Sequence, residues 1–279
     1  RDKHVTGVQT CALPIYRHID TAQMYENEET VGAAVDAHGL PREEIFLTTK
    51  IWHDRLRHDD LLQSLQQSVN RLRSDYVDLA LIHWPSPNDE VPMEEYIGAL
   101  VEARQQGLAK HIGVSNFTVA QLEQARALPG GDQLITNQVE VHPFLTNRTV
   151  VEAIRQQGMA VTAYMPLAVG KVMDDPTLKE IGERHDVSPA QVVLAWLHQQ
   201  EVVVIPSSTK ETHLKANLQA LDLTLSDDEV RAIESLDRGE IRRASLRERV
   251  KISVVAASLI KQEQLLTVAQ QRVRQRLSL

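Results

Sequence analysis

Cysteine is almost missing from this sequence: Cys11 is the only one in 279 residues. That excludes an intrachain disulfide and any cysteine-rich metal site. No apolar run approaches the roughly 20 residues a helix needs to cross a bilayer. The N-terminus also lacks the basic start, apolar middle and small-residue cleavage site of a secretory signal. A cytoplasmic protein with no membrane partner is therefore expected. The glycine-rich turn G-x-G-x-x-G, which an open sheet binding a dinucleotide places after a strand, occurs nowhere. Tandem repeats, low-complexity runs and flexible linkers are missing between Tyr16 and Glu240. What is present is ordinary for a globular chain, 42% hydrophobic and 24% charged. The length suits either two small domains or one large α/β barrel.

The formal net charge of -8 is unevenly spread. From Ile241 onward nine Lys or Arg stand against two Asp or Glu, whereas residues 16–240 carry 19 basic and 35 acidic side chains. An acidic centre repels phosphates, so no nucleic-acid partner is expected. The two ends read differently from the middle. "VTGVQTCALPI" (Val5 to Ile15) matches the translation of a common sequencing-library adapter. "IRRASLRERVKISVVAAS" (Ile241 to Ser258) resembles the partner adapter, with Lys251 where that reading has a stop. The expected organisation is a foreign leader over 1–15, a barrel domain over 16–240 and a foreign or non-native tail over 241–279. A genuine basic helical tail is the rival reading of the last segment.

Between Tyr16 and Glu240 short β-type runs alternate with longer helical patterns. The candidate strands are "RHID", "IFLTTKI", "YVDLALIHW", "HIGVS", "TNQVEV", "AVTAYM" and "VVVIPS". Between them lie stretches such as "DLLQSLQQSVNRLR" and "MEEYIGALVEARQQG", whose apolar residues recur at three- and four-residue steps. Pro92 opens the second and Gly107 closes it, as helix punctuation should. Strand and helix in alternation, without hairpin signals, predict a parallel sheet. Nearly every strand ends in a polar residue: Asp20, Lys50, His83, Ser115 with Asn116, Tyr164, and Ser207 with Ser208, while Gln138 lies within its strand. Barrels gather functional groups at the carboxyl ends of their strands, so these side chains would converge on one mouth. The expected fold class is α/β, a (β/α)8 TIM barrel.

Taken singly, each polar residue has a plain structural reading. Asp20 before Thr21 suits a helix cap, Lys50 a solvated charge, His83 a hydrogen-bonded core histidine and Tyr25 a packing residue. Together they suggest carbonyl reduction. Hydride delivery to a carbonyl carbon builds negative charge on its oxygen, which needs a proton donor and positive or dipolar neighbours. A phenol with its pKa near about 10 is a sluggish acid at neutral pH. An ammonium beside it is expected to lower that value, and a carboxylate would keep the ammonium charged and in place. In this scheme Tyr25 is the general acid, Lys50 tunes it, Asp20 anchors Lys50 and His83 positions the carbonyl.

The segments "HIDTAQMYENEETVG", "TTKIW", "DYVDLALIHWP", "GVSNF", "NQVEVHP", "YMPLA" and "IPSS" resemble the aldo-keto reductase superfamily in order and spacing, from Tyr16 to about Glu240. Within it, "HWPSPNDE" is similar to the bacterial 2,5-diketo-D-gluconate and methylglyoxal reductases. The resemblance implies a catalytic tetrad of Asp20, Tyr25, Lys50 and His83 with no metal. It implies that Ser115, Asn116 and Gln138 hold a nicotinamide carboxamide and that Tyr164 stacks on the ring, with Pro166, Leu167 and Ile205 also on the cofactor side. Trp52 and Trp84 would line the substrate pocket or simply pack. In "IPSSTKETHLKAN" the family's 2'-phosphate lysine and arginine are replaced by Ser207 and His213. Ser208, Thr209 and Lys210 could still meet a phosphate at a helix N-terminus, and Asn217 matches the adenine contact. NADPH is accordingly expected ahead of NADH.

The family's first barrel strand and helix have no counterpart before "YRHID", so the barrel is expected to be incomplete, with two open edges. The apolar "ISVVAASLI" of the tail offers partial closure. The implied function is NADPH-dependent reduction of small aldehydes, ketones or dicarbonyls by a monomer. The alternatives are a non-catalytic nucleotide-binding subunit on the same barrel and an inert truncated fragment.

Overall fold

Seven strands pair side by side in chain order, all parallel: β1 (His18–Asp20), β2 (Phe46–Ile51), β3 (Val77–Ile82), β4 (Ala109–Ser115), β5 (Leu134–Glu140), β6 (Ala160–Tyr164) and β7 (Val203–Ile205). These come from a computed structural model that describes residues 16–208 and 210–240 together with Ala256–Ala257. Between successive strands run α1 (Glu28–His38), α2 (His58–Arg71), α3 (Met93–Gln105), α4 (Val119–Ala127) and α5 (Arg148–Gln156). The β6-to-β7 connection carries two helices, α6 (Pro176–His185) and α7 (Pro189–Gln199), and β7 is followed by α8 (Glu211–Gln219) and α9 (Asp227–Glu234). The expected helices thus appear at their predicted places, and Gly107 ends α3 with φ of 82°, a left-handed conformation that glycine adopts without steric cost.

Successive side chains on a strand point to opposite faces, and in a parallel sheet both faces are covered. One face of each strand meets the helices: Leu47, Ile82, Ile112, Val161 and Val204 join the main apolar core with residues from every surrounding helix. Along β2 the other set is Phe46, Thr48 and Lys50, all buried. Phe46, Leu79 and Leu81 form a small separate apolar cluster. Ala160 and Val203 form another, and inward polar side chains bond to one another across strands: His18 with Thr48 at 2.9 Å, and Thr136 with Thr162 at 2.9 Å. The barrel interior is thus a packed core in which paired polar side chains alternate with small apolar clusters.

Parallel strand order leaves β1 and β7 at the two ends of the sheet. Ala256–Ala257 forms an eighth strand, β8, antiparallel to β1, with Ile19 opposite Ala257 and Asp20 opposite Ala256. It also approaches β7. The bare edge expected at β1 is therefore covered, by backbone pairing that needs no particular side chain, and the ring is nearly closed. The leader 1–15 and the rest of the tail beyond Glu240 lie outside the described residues. No helix among the described residues is long and apolar enough to cross a membrane.

Candidate active site

Asp20 is the last residue of β1, and the chain leaves the strand through Thr21, whose amide still bonds to the Thr48 carbonyl at 2.9 Å. A single 3-10 turn, Gln23–Tyr25, follows. Gln23 pins that turn: its amide nitrogen donates to the hydroxyls of Ser64 and Ser68 on α2, each at 3.1 Å, and its carbonyl oxygen accepts from the Trp52 amide at 3.1 Å. The turn places Tyr25 over the end of β2. There Lys50, fully buried, donates from Nζ to Asp20 Oδ1 and to the Thr21 carbonyl at 2.9 Å, and lies 3.5 Å from the Tyr25 hydroxyl.

His83 follows β3, its amide held by the Ile51 carbonyl at 3.0 Å. Its ring stands edge-on between Tyr25, 5.7 Å away between centroids, and Trp52, 5.1 Å away. The four residues expected to act together are thus brought together, from β1, β2, β3 and one turn.

Charge in this cluster runs against part of the sequence expectation. Burial pushes the Tyr25 phenol upward, the Lys50 charge pulls it down and Asp20 pushes it up again, and the net direction is up. The expected lowering does not result, because loss of water outweighs the neighbouring cation. For Lys50, burial opposes the charge, and Asp20 and Tyr25 more than offset it, so the ammonium is held above its ordinary value. Both shifts favour a protonated phenol beside a charged ammonium. An alkoxide is a far stronger base than a phenolate, so such a phenol can still give up its proton when charge develops on a carbonyl oxygen.

Asp20, Tyr25 and His83 open into a cavity of about 660 Å³. Its rim is tied across five strands. Asn116, at φ of 63°, donates to the His83 carbonyl and to Ser115 Oγ, each at 3.0 Å, and accepts from Tyr164 Oη at 2.8 Å. Ser115 Oγ donates to the Gln138 carbonyl at 2.8 Å, and Gln138 Nε2 donates to Asp20 Oδ2 at 2.9 Å. Ser115, Asn116, Gln138 and Tyr164 all line the cavity, as do Pro166, Leu167 and Trp84. At its other end the wall is formed by Ile205, Ser207, Ser208, His213 and Asn217.

Two expected residues stand apart from that wall. Trp52 packs against His53 and His83 instead of facing the cavity. Lys210 is exposed, and its amide donates to Ser208 Oγ at 3.1 Å, so that hydroxyl and amide answer each other. Thr209 lies outside the described residues. Residues that sequence reasoning did not single out also line the cavity, among them Glu140, the methionines Met24, Met165 and Met173, and Val169 and Gly170. Glu140 carries a readable signal, since it follows Gln138 by two on β5 and so faces the same way. The methionines carry none. Among the described residues no group of three or more His, Cys, Asp and Glu could hold a metal.

Residues 14–238 match the family model described as "Aldo/keto reductase family". The chain belongs to the aldo/keto reductase family. Carbonyl reduction by an oxidoreductase is the chemistry this membership brings. Methylglyoxal reductase DkgB of Escherichia coli O157:H7 is 48% identical over 236 residues, which cover 85% of this chain and 88% of that protein. Glyoxal reductase of Bacillus subtilis is 38% identical over 229 residues, which cover 81% of this chain and 80% of that protein. Among solved structures, one described as a candidate 2,5-diketo-D-gluconic acid reductase B superposes with a TM-score of 0.83 at 44% identity, covering 86% of both chains. That similarity carries the aldo/keto reductase barrel as well as the sequence pattern.

Proposed function

We propose that the protein reduces small aldehydes, ketones and dicarbonyls with NADPH, Tyr25 serving as the general acid. The observation that carries this reading is the buried Lys50 ammonium, bonded to Asp20 and 3.5 Å from the Tyr25 hydroxyl at the inner end of the cavity. A dinucleotide fits the residues present: the cavity has amide and hydroxyl groups at the tetrad end and a second polar cluster of Ser207, Ser208, His213 and Asn217 at the other. Gln138, Asn116 and Ser115 would hold the carboxamide, and Tyr164 would lie against the ring. When bound, the cofactor supplies the hydride.

The chain's own residues handle the oxygen. His83 orients it, and Tyr25 donates the proton as negative charge gathers there. The phenolate left behind is stabilised by Lys50, which Asp20 keeps charged. Ser207 and His213 leave the phosphate end with hydroxyls and an imidazole, and the exposed Lys210 supplies a nearby cation, which supports NADPH ahead of NADH. The methylglyoxal and glyoxal reductases to which the chain is similar support small 2-oxoaldehydes as substrates.

The test is NADPH oxidation with methylglyoxal, paired with cofactor binding followed by fluorescence. Tyr25→Phe is expected to lose at least about 100-fold in kcat while still binding NADPH. A wild-type protein that binds NADPH without turnover would make the barrel a nucleotide-binding subunit instead.

A further inference from the structure

Little holds the Tyr25 hydroxyl directly. Among the described residues it meets one hydrogen-bonding group, Lys50 Nζ at 3.5 Å, too long for a strong bond. The turn that carries it, Gln23–Tyr25, is a single 3-10 turn with no side-chain cap at Ala22 and a left-handed exit at Glu26, φ of 54°. Such turns have poor hydrogen-bond geometry of their own, so the place of the phenol is fixed from outside. Thr21 Oγ1 donates to Asn27 Oδ1 at 2.5 Å and closes the base of the loop. Beyond the Tyr25–Lys50 contact, the side-chain bonds that leave the turn among the described residues all belong to Gln23, which reaches Ser64, Ser68 and the Trp52 amide, each at 3.1 Å.

Those three bonds are matched in polarity. Ser64 Oγ gives its proton to the Leu61 carbonyl at 3.0 Å, and Ser68 Oγ gives its own to the Ser64 carbonyl at 3.2 Å. Both hydroxyl oxygens are therefore acceptors toward Gln23 Nε2, whereas the Trp52 amide can only donate and takes Oε1. Turned over, the Gln23 amide would set donor against donor and acceptor against acceptor. It is locked in one orientation by α2 and by the exit of β2 together. Gln23 precedes Tyr25 by two residues, Trp52 follows Lys50 by two, and the Trp52 ring stands against His83, 5.1 Å away between centroids. One side-chain amide thus spans the supports of three members of the tetrad.

We infer that Gln23 is a positioning residue for proton donation: through Ser64, Ser68 and the Trp52 amide it sets the distance from the Tyr25 hydroxyl to Lys50 and to the carbonyl oxygen that His83 orients. Gln23 does not line the cavity, so it acts through Tyr25 and not by touching substrate or cofactor. The inference rests on the carbonyl-reductase reading and adds to it the residue that holds the proton donor. A displacement of about 1 Å at a reacting group costs about 100-fold in rate, and the 3.5 Å contact to Lys50 offers little resistance to one.

Gln23→Met keeps the length of the side chain and removes its bonds. In the full chain, kcat for methylglyoxal is expected to fall about tenfold or more, while KM for methylglyoxal and the NADPH dissociation constant read by fluorescence stay within about twofold of wild type. The isotope effect on kcat from deuterium at the transferred hydride should be at least as large as in wild type, because the loss falls on the chemical step. An unchanged kcat would overturn the positioning role and leave the carbonyl-reductase reading intact. So would a matching loss of NADPH affinity or a shrunken isotope effect, since either marks a general loosening of the barrel. No turnover by wild type would overturn both.

A second variant covers a Gln23→Met protein that fails to fold. Ser64→Ala with Ser68→Ala removes the acceptors on α2 and leaves the Trp52 bond in place, and Arg71, which also donates to Ser68 Oγ at 3.2 Å, keeps its pair with Glu28. Its kcat is expected to fall about threefold at unchanged NADPH affinity. Added to Gln23→Met, the two serine substitutions should lower kcat no further, because the bonds they remove are already gone. Wild-type kcat in the serine variant, or losses that simply add, would refute the role given to Gln23.

Discussion

Gln138 Nε2 donates to Asp20 Oδ2 at 2.9 Å, joining β5 to β1 across the barrel. With Lys50 on the other oxygen, the Asp20 carboxylate is fixed in orientation from two sides. Asp20→Asn keeps the shape of the side chain and removes its charge. Burial then acts on Lys50 with Tyr25 as the main remaining support, and the ammonium pKa falls from its raised position. We expect kcat to drop by about 100-fold or more, and the alkaline limb of the kcat/KM profile to move to lower pH, because the cation is lost earlier as pH rises. A pH–rate profile of the variant checks both. A lower kcat with an unmoved limb would separate Asp20 from the charge state of Lys50.

The end of the cavity lined by Ser207, His213 and Asn217, where we propose the adenosine lies, depends on a residue outside the cavity wall. Tyr16, held neutral by burial that pushes its phenol up, donates to the Leu214 carbonyl at 2.9 Å and takes a hydrogen bond from Asn217. Both partners sit on α8, which also carries His213. Tyr16→Phe leaves a buried carbonyl and a buried amide without that partner, a cost of about 1–3 kcal/mol. The expected outcome is a lower Tm and a several-fold weaker NADPH dissociation constant, with the KM for methylglyoxal little changed. Thermal melts with a fluorescence titration read these out. A matching rise in the carbonyl KM would mean general loosening instead.

Much of this architecture was legible because parallel strands announce themselves twice, as β-rich runs and as a polar residue at the carboxyl end. Asp20, Lys50 and His83 were found that way, and the structure brings them to one mouth with Tyr25. What the sequence conceals is the balance of burial against charge. Lys50 next to Tyr25 suggests a lowered phenol, and only the depth of the site reverses the direction. Glu140 could have been read: in "NQVEV" it follows Gln138 by two, and the structure places both on the cavity wall. The 3-10 segment Ala168–Asp174 brings Met173 to the cavity through non-helical backbone at Val169 and Gly170, a path without periodicity to read.

Gly32 shows how tightly the outer layer holds the tetrad's turn. A Cβ built at this position of α1 would meet the Arg71 carbonyl oxygen at 2.5 Å and the Leu72 carbonyl carbon at 2.6 Å, both backbone atoms at the end of α2. The same contact zone holds Glu28, which accepts from Arg71 and Thr49. Gly32→Ala must push the two helices apart, at about 1–3 kcal/mol, despite alanine's better helix propensity. A lower Tm, with loss of kcat as Thr49 and its neighbour Lys50 shift, is expected. A variant as stable as wild type would show that the helices can separate freely.

Glu229 ties α9 to α6 and gives the fold a defined acid response. Its carboxylate loses water on burial, yet it accepts from the Ser226 amide at 2.9 Å and hydroxyl at 3.0 Å, from His185 Nε2 at 3.0 Å and from the Arg184 guanidinium at 3.2 Å. These bonds outweigh the burial and lower its pKa to about 2. A carboxyl held lower in the folded state than in the unfolded chain contributes stability that is fully present above the unfolded value. That stability drains away as pH falls toward the folded value. Glu229→Gln is therefore expected to cost about 1–2 kcal/mol at pH 7, a figure reduced because Arg184 is half exposed. The gap between variant and wild type should narrow as pH drops from about 4.5 and vanish near about 2. Thermal melts of both proteins across that range decide the matter. A gap that persists at the acid end would mean that the glutamine disturbs the packing of α9 rather than its charge.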